Sequence, residues 1–248
     1  MDGPKVFLTA EWRALAMLNY EVNPSLLLRY VPPGTEVDSW SGKVFVSLVA
    51  FRFLNTRVFG VRFPFHCNFT EVNLRFYVRR RERSEVRRGV VFIREIVPRR
   101  AIAAVARGFY NERYLALPMS HRLNSNSANI TAEYGWKSEG GWNKIHLSAK
   151  GDPALPKNDS LEQFITEHYW GYARGKNDTC IEYRVQHPQW RVWKATEAAF
   201  EGNAEEVYGK DFSAILRQQP SSAFLAEGSE VAVYGGTVIP SDFPQPSI

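Results

Sequence analysis

The feature that most constrains this chain is a recurrent two-residue alternation of apolar and polar side chains, the mark of β-strands. Its clearest instance is Glu71-Val72-Asn73-Leu74-Arg75-Phe76-Tyr77. Successive strand side chains point to opposite faces, so Val72, Leu74, Phe76 and Val78 share one face and Glu71, Asn73, Arg75 and Tyr77 the other. Residues 43–54 are apolar on both faces, which suits a strand buried on two sides. Residues 12–22 read as a strand with Trp12, Ala14, Ala16, Leu18 and Tyr20 on one side, with a helix as the competing reading.

Turn residues divide these runs into hairpins. Segments 71–79 and 89–97 predict a long hairpin around 80–88. Segments 129–137 and 142–150 predict a second around 138–141, and 223–226 with 231–239 a closing one around Glu227-Gly228-Ser229. Residues 179–186 form a further strand. Helices are few and short. Asn23-Pro24 has the N-cap and N1 pattern for a helix through Tyr30. Pro98 opens one in which Ile102, Val105, Ala106 and Phe109 form an apolar stripe. Ser160 and Gln163 make a capping-box pattern before the stripe Leu161, Phe164, Ile165, with His168 next in line. Asp211 is expected to cap a helix through Arg217. The fold class is therefore mainly β (α+β): antiparallel sheets forming a barrel or sandwich with a few short helices, and not a parallel βαβ fold.

Composition narrows the function. No stretch approaches the roughly 18 apolar residues of a membrane helix, so no membrane span is expected. The net charge is +5. Residues 75–100 hold ten arginines against three acids, a net +7, which leaves −2 for the remainder. A nucleic-acid binder spreads its basic stripe further, so the arginine-rich segment 79–88 reads as a solvated hairpin tip, with a nucleic-acid contact as the alternative. Met1-Asp2-Gly3-Pro4-Lys5 has no signal-peptide pattern, which makes a cytoplasmic location the expectation, with Cys67 and Cys180 as reduced core residues. The sequons at Asn68, Asn129, Asn158 and Asn177 then carry no weight. The five histidines form no metal-binding pair, and nucleotide-loop and serine-elbow motifs are missing, so neither a metal nor a cofactor is expected.

The polar face of the 71–77 strand is either a solvated sheet face or the lining of a small-molecule pocket. In the second case Arg75 binds a carboxylate by its guanidinium fork, and Glu71 serves as general base or as the partner of Arg75. His168 in His168-Tyr169-Trp170-Gly171-Tyr172 and His187 in His187-Pro188-Gln189-Trp190 sit among aromatics, in a lined cavity or simply in packing. Tyr110-Asn111-Glu112-Arg113-Tyr114 adds polar groups at a helix end or a pocket rim. The candidate set is Glu71 and Glu112 for acid–base work, with Arg13, Asn73, Arg75, Tyr77, Tyr110, His168 and His187 for binding a small molecule.

Several runs together carry a resemblance. They are Ala10-Glu11-Trp12-Arg13, Leu18-Asn19-Tyr20, Phe69 to Tyr77, Gly89-Val90-Val91-Phe92, Glu167 to Tyr172, and Tyr183-Arg184-Val185-Gln186-His187-Pro188. The chain resembles the YqjF-like family of uncharacterised bacterial proteins, related to the acetoacetate decarboxylase-like superfamily. The resemblance implies a single domain over 1–248, with its core at about 7–240, whose sheets curl into a cone-like barrel around an internal pocket. Decarboxylases of that superfamily use a lysine Schiff base. The matching region here is 112–120, where Met119 and Ser120 stand in place of the lysine pair, so the resemblance implies binding without imine chemistry. It also matches Glu71 to a pocket glutamate and Arg13 to a substrate-binding arginine. A non-imine lyase or isomerase using Glu71 with Arg13 or Arg75 is the enzymatic alternative.

Overall fold

The structure, a computed structural model, describes residues 5–82, 85–99, 114–126 and 128–239. Among them, fourteen strands join in one sheet. In chain order these are β1 (Val6–Val22), β2 (Glu36–Val37), β3 (Val44–Val58), β4 (Phe69–Glu82), β5 (Glu85–Val97), β6 (Tyr114–Ala116), β7 (Met119–Ser125), β8 (Asn129–Ser138), β9 (Gly141–Lys150), β10 (Trp170–Arg174), β11 (Cys180–Gln186), β12 (Val192–Glu201), β13 (Ser222–Tyr234) and β14 (Thr237–Ile239). The α-helices are short: α1 (Leu161–Thr166), α2 (Glu205–Tyr208) and α3 (Lys210–Leu216). None is long and apolar enough to cross a membrane.

The order β11-β10-β5-β4-β3-β1-β13 returns on itself, because β13 also pairs with β11 through Val185–Val233 and Gln186–Ala232. These strands make a closed ring, which leaves no free edge along it. Strands β12, β9, β8 and β7 continue the sheet from β13. Tyr134, Trp136, Ile145 and Leu147 of that continuation pack against Leu18, Leu48, Leu74 and Phe76 on the outer face of the ring. The inner face carries Leu15, Met17, Phe45, Val49, Phe51 and Tyr77, with Phe164 and Ile165 of α1 packed on it. Alternate residues of β1, β3 and β4 thus serve two cores, which is why β3 is apolar on both sides.

The sheet is mixed rather than purely antiparallel. β10 runs parallel to β5 through Trp170–Gly89 and Gly171–Val90, and β6 is parallel to β5. The chain leaves the ring after β5, builds β7 to β9 and returns beside β5, the long connection that parallel pairing needs. Tyr183 lies opposite Gly171 in register, and a Cβ on Gly171 would sit 2.1 Å from the Tyr183 ring.

Five local expectations change. In β1, Ala14 adopts φ +53° and the pairing with β3 shifts between Arg13 and Ala16, a bulge fixed by Tyr134 Oη donating to the Ala14 carbonyl at 2.6 Å. One extra residue reverses the facing, so Trp12 packs on the inner side and Ala16, Leu18 and Tyr20 on the outer. The closing hairpin around 227–229 does not form. β13 runs through it, and Gly228 (φ +79°) lets the Trp12 carbonyl approach. The long hairpin is longer than expected, with β4 reaching Glu82 and β5 starting at Glu85, so the arginines lie on strands. Asp211 sits in the first turn of α3, and Gly209 takes the cap position. The segment after Pro24 forms two 3-10 turns, with Asn23 capping Ser25 N–H as expected. The helix expected after Pro98 lies outside the described residues.

Most of those strand arginines are tied down. Glu182, buried, accepts from Arg80 (3.1 Å), Arg87 (2.7 Å) and Tyr172 Oη (2.9 Å). Arg80 also pairs with Glu82, and Arg87 lies over the Trp170 ring at 4.4 Å. Asp38, fully buried, takes Arg88 at 3.2 Å and Arg79 at 3.8 Å, while Glu36 takes Arg79 and Arg81. The segment is therefore a set of paired strand arginines, while Arg81, Glu85, Val86 and Arg88 at its far end remain exposed to solvent, as expected of a hairpin tip.

Candidate ligand site

The inner face of the ring encloses a cavity of about 110 Å³. Its polar wall comes chiefly from β4. Glu71, Asn73 and Arg75, 3%, 2% and 8% exposed, alternate inward along a strand without a bulge of its own. Glu95 and Tyr114 join them from β5 and β6, and Thr166 and His168 from the end of α1. The rest is apolar and largely aromatic, including Phe7, Trp12, Phe51, Phe53, Phe92, Trp170 and Trp190.

Hydrogen bonds set the orientation of this wall. Asn73 Nδ2 donates to Glu71 Oε1 at 3.0 Å, and Tyr114 Oη reaches Glu71 Oε2 at 3.4 Å. With its amide nitrogen so engaged, Asn73 turns Oδ1 elsewhere, and that oxygen has no partner. Arg75 is the unusual member. Its Nη2 donates to the Ile165 carbonyl at 3.4 Å and makes a long contact with Met17 Sδ at 4.0 Å. Its Nε has no hydrogen-bond partner, and no carboxylate of the described residues lies within 4 Å of its guanidinium. Buried guanidinium groups are ordinarily paired, because desolvating an unpaired charge costs several kcal/mol.

His168 is placed by α1. Ser160 Oγ accepts from Gln163 N–H at 3.2 Å, as the capping pattern predicts, and Phe164, Ile165 and His168 turn inward. The imidazole packs against Tyr77 (4.7 Å between centroids) and edge-on to Phe164 (5.2 Å). Neither ring nitrogen meets a hydrogen-bond partner. Burial first, then the charges of Arg75 and Arg88, hold its pKa well below the usual imidazole value, against a minor opposing pull from the Ile165 carbonyl. His187 stacks on Trp190 at 4.2 Å and 20°, and burial lowers its pKa as well.

The unfolded chain takes up a proton on His168 near pH 6.5, whereas the folded chain resists until far lower pH. The unfolded state therefore binds more protons as pH falls below 6.5, and folding stability is lost by up to about 1.4 kcal/mol per pH unit. The expected result is an imidazole signal of His168 that does not titrate between pH 8 and 5 in NMR, and a shallower acid loss of stability in His168→Gln. Titration near 6.5 would contradict the placement.

The structure brings together Glu71, Asn73, Arg75, His168 and His187 from the sequence candidates. Tyr77 does not line the cavity. It stands behind His168, its hydroxyl 2.6 Å from Ser47 Oγ, which in turn donates to Asn19 Oδ1 at 2.6 Å. Arg13 does not line it either, because the bulge after it leaves its side chain in an outer cleft, paired with Glu11 at 2.8 Å and donating to the Gly228 carbonyl at 3.3 Å. Tyr110 and Glu112 lie outside the described residues. Met119 and Ser120 begin β7, away from the cavity lining, and none of the chain's nine lysines lines it. Sequence reasoning missed Glu95, which a regular strand would turn outward. The β4–β5 register shifts at Leu74–Arg75, so an extra β5 residue, Ile93, reverses it. Among the described residues no group of three His, Cys, Asp or Glu side chains is arranged to hold a metal.

Solved proteins of one architecture share this fold. Acetoacetate decarboxylase from Legionella pneumophila subsp. pneumophila str. Philadelphia 1 is similar with a TM-score of 0.67 at 14% identity, over 96% of this chain and 88% of that one. The enduracididine biosynthesis enzyme MppR complexed with pyruvate is similar with a TM-score of 0.67 at 13% identity, over 97% and 93%. An acetoacetate decarboxylase-like enzyme from Sphingomonas wittichii RW1 reaches 0.63 at 11% identity, over 95% and 94%. The chain therefore has the acetoacetate decarboxylase-like fold. Within that class it belongs to the DUF2071 family, described as uncharacterized conserved proteins, whose model matches residues 9–230. Uncharacterized protein YqjF of Bacillus subtilis (strain 168) is 23% identical over 199 residues, 80% of each chain.

Proposed function

We propose that this protein binds a small anionic or carbonyl-containing compound in the ring cavity, without lysine imine chemistry. Arg75 carries the reading: a buried guanidinium at the cavity wall, with no carboxylate partner among the described residues, is a site prepared for an anion that arrives from outside. An imine mechanism needs an amine inside the cavity, and the absence of lysine from the described lining residues supports a reading without one. A fold neighbour, MppR, has been solved with pyruvate, which supports a small carboxylate or carbonyl ligand here. Glu71, in the same wall, is the group that a lyase or isomerase without an imine would use as general base. The two free, buried thiols Cys67 and Cys180 suit a reducing cytoplasm. A thermal-shift screen of small carboxylates, keto acids and inorganic anions on the wild-type protein is expected to give at least one saturable rise in Tm. A complete absence of binding across that panel would remove the proposal.

A further inference from the structure

The cavity has two unlike ends, and their chemistry bears on the ligand's class. At one end lie Arg75, which donates to the Ile165 carbonyl, and His168, each buried and each with an unpartnered ring or guanidinium nitrogen. At the other, Trp12 is the hub of an aromatic cluster, 5.3 Å from Phe51, 5.7 Å from Phe53 and 6.2 Å from Trp190. Phe7, Val185 and Val233 extend that end, and all of these residues line the cavity.

Charge limits what this arrangement accepts. Arg75 is the one arginine or lysine among the described lining residues, and Glu71 and Glu95 share the wall with it. A phosphate monoester or a dicarboxylate brings about two negative charges, and phosphate sites gather several donors and cations to meet them. A single carboxylate is matched by one guanidinium and one further donor. His168, held neutral by burial, has one N–H to give. The apolar end, meanwhile, rewards a ligand body that leaves water.

Resting on the reading of Arg75 as an anion anchor, we propose that the ligand is a monocarboxylic acid with an aromatic or branched apolar body, its carboxylate held between Arg75 and His168 and its body against the Trp12 cluster. The carboxylate supplies an acceptor to Arg75 Nε and to the His168 ring N–H, which no described residue accepts from. The aromatic walls take the remainder by contact alone, so the class is set by one charge and by shape.

Calorimetry with a matched panel tests this on the intact protein: phenylacetate, isovalerate, acetate, phenylacetamide, succinate and phenyl phosphate. Phenylacetate or isovalerate is expected to bind at least about tenfold more tightly than every other member. Trp12→Leu is expected to weaken phenylacetate but not acetate. His168→Leu, with His168→Asn as a second variant in case the first folds poorly, is expected to weaken carboxylates by about tenfold or more. Phenyl phosphate or succinate binding as tightly as phenylacetate, with the binding lost in Arg75→Met, would overturn the ligand class while leaving the anion anchor in place. Acetate binding as tightly as phenylacetate would overturn the role of the aromatic end. No binding by any anion in the panel would overturn both the class and the reading beneath it.

Discussion

Arg75→Met is expected to abolish anion binding and, in the same protein, to raise the stability of the unliganded fold. Methionine keeps an unbranched apolar stem of similar reach and discards the charge. What is lost is a 3.4 Å hydrogen bond to the Ile165 carbonyl, a weak contact to Met17 sulfur and the guanidinium's approach to the Tyr77 ring at 5.8 Å. What is removed is the desolvation penalty of a guanidinium that no carboxylate of the described residues neutralises, a cost of several kcal/mol. The balance favours the variant by about 1–2 kcal/mol, which for a chain of this size raises Tm by about 2–8 °C. Removing Arg75 also lifts one of the charges that depress His168, so its pKa moves back toward the ordinary value. A structural arginine behaves in the opposite way: truncation strands its partners and lowers Tm. A fall in Tm with anion binding unchanged would therefore show that Arg75 serves the fold. Stabilisation together with loss of binding is the trade expected where a protein retains a costly group for function.

The parts of the site legible in the sequence are those that rest on unbroken local periodicity. β4 has no bulge of its own between Glu71 and Tyr77, so the alternation alone assigned Glu71, Asn73 and Arg75 to one side. His168 was legible as the residue following the stripe of a helix announced by Ser160 and Gln163. Periodicity fails wherever one residue is added. The bulge at Ala14 turns Trp12 inward and leaves Arg13 outside, and the extra residue at Ile93 turns Glu95 inward. Phe51 and Phe53 were hidden for another reason, since β3 is apolar on both faces and its pattern marks neither as a wall. The parallel pairing of β10 with β5 and the closure of β11 on β13 are contacts between segments far apart in the chain, which no local pattern specifies. Tyr77 shares the inward face but stands one layer back, behind His168, a distinction of depth that alternation cannot carry.

The same bulge makes Gly228→Ala the substitution with the largest expected cost to the fold. The sequence around it reads as a turn, yet β13 passes straight through, opposite Arg13 in the β1 register. Two separate penalties meet there. An L-residue at φ +79° is strained, at about 1–2 kcal/mol, and a Cβ would stand 1.9 Å from the Trp12 carbonyl oxygen, a backbone atom that no rotamer change can move. Relieving that contact means displacing β1 from β13, a seam of the closed ring, and overpacking of this kind adds about 1–3 kcal/mol. The expected total is about 2–5 kcal/mol, a fall in Tm of about 4–20 °C. Gly42→Ala separates the two penalties, because Gly42 has φ +77° but nothing within 4 Å of its would-be Cβ, and only the conformational cost of about 1–2 kcal/mol is expected there. Equal losses in the two variants, read by urea unfolding, would refute the close approach. A larger loss at Gly228, accompanied by a shift in tryptophan fluorescence, places the Trp12 wall of the cavity under the control of a glycine on the neighbouring strand, so that the apolar end of the site is positioned by the packing of the ring itself.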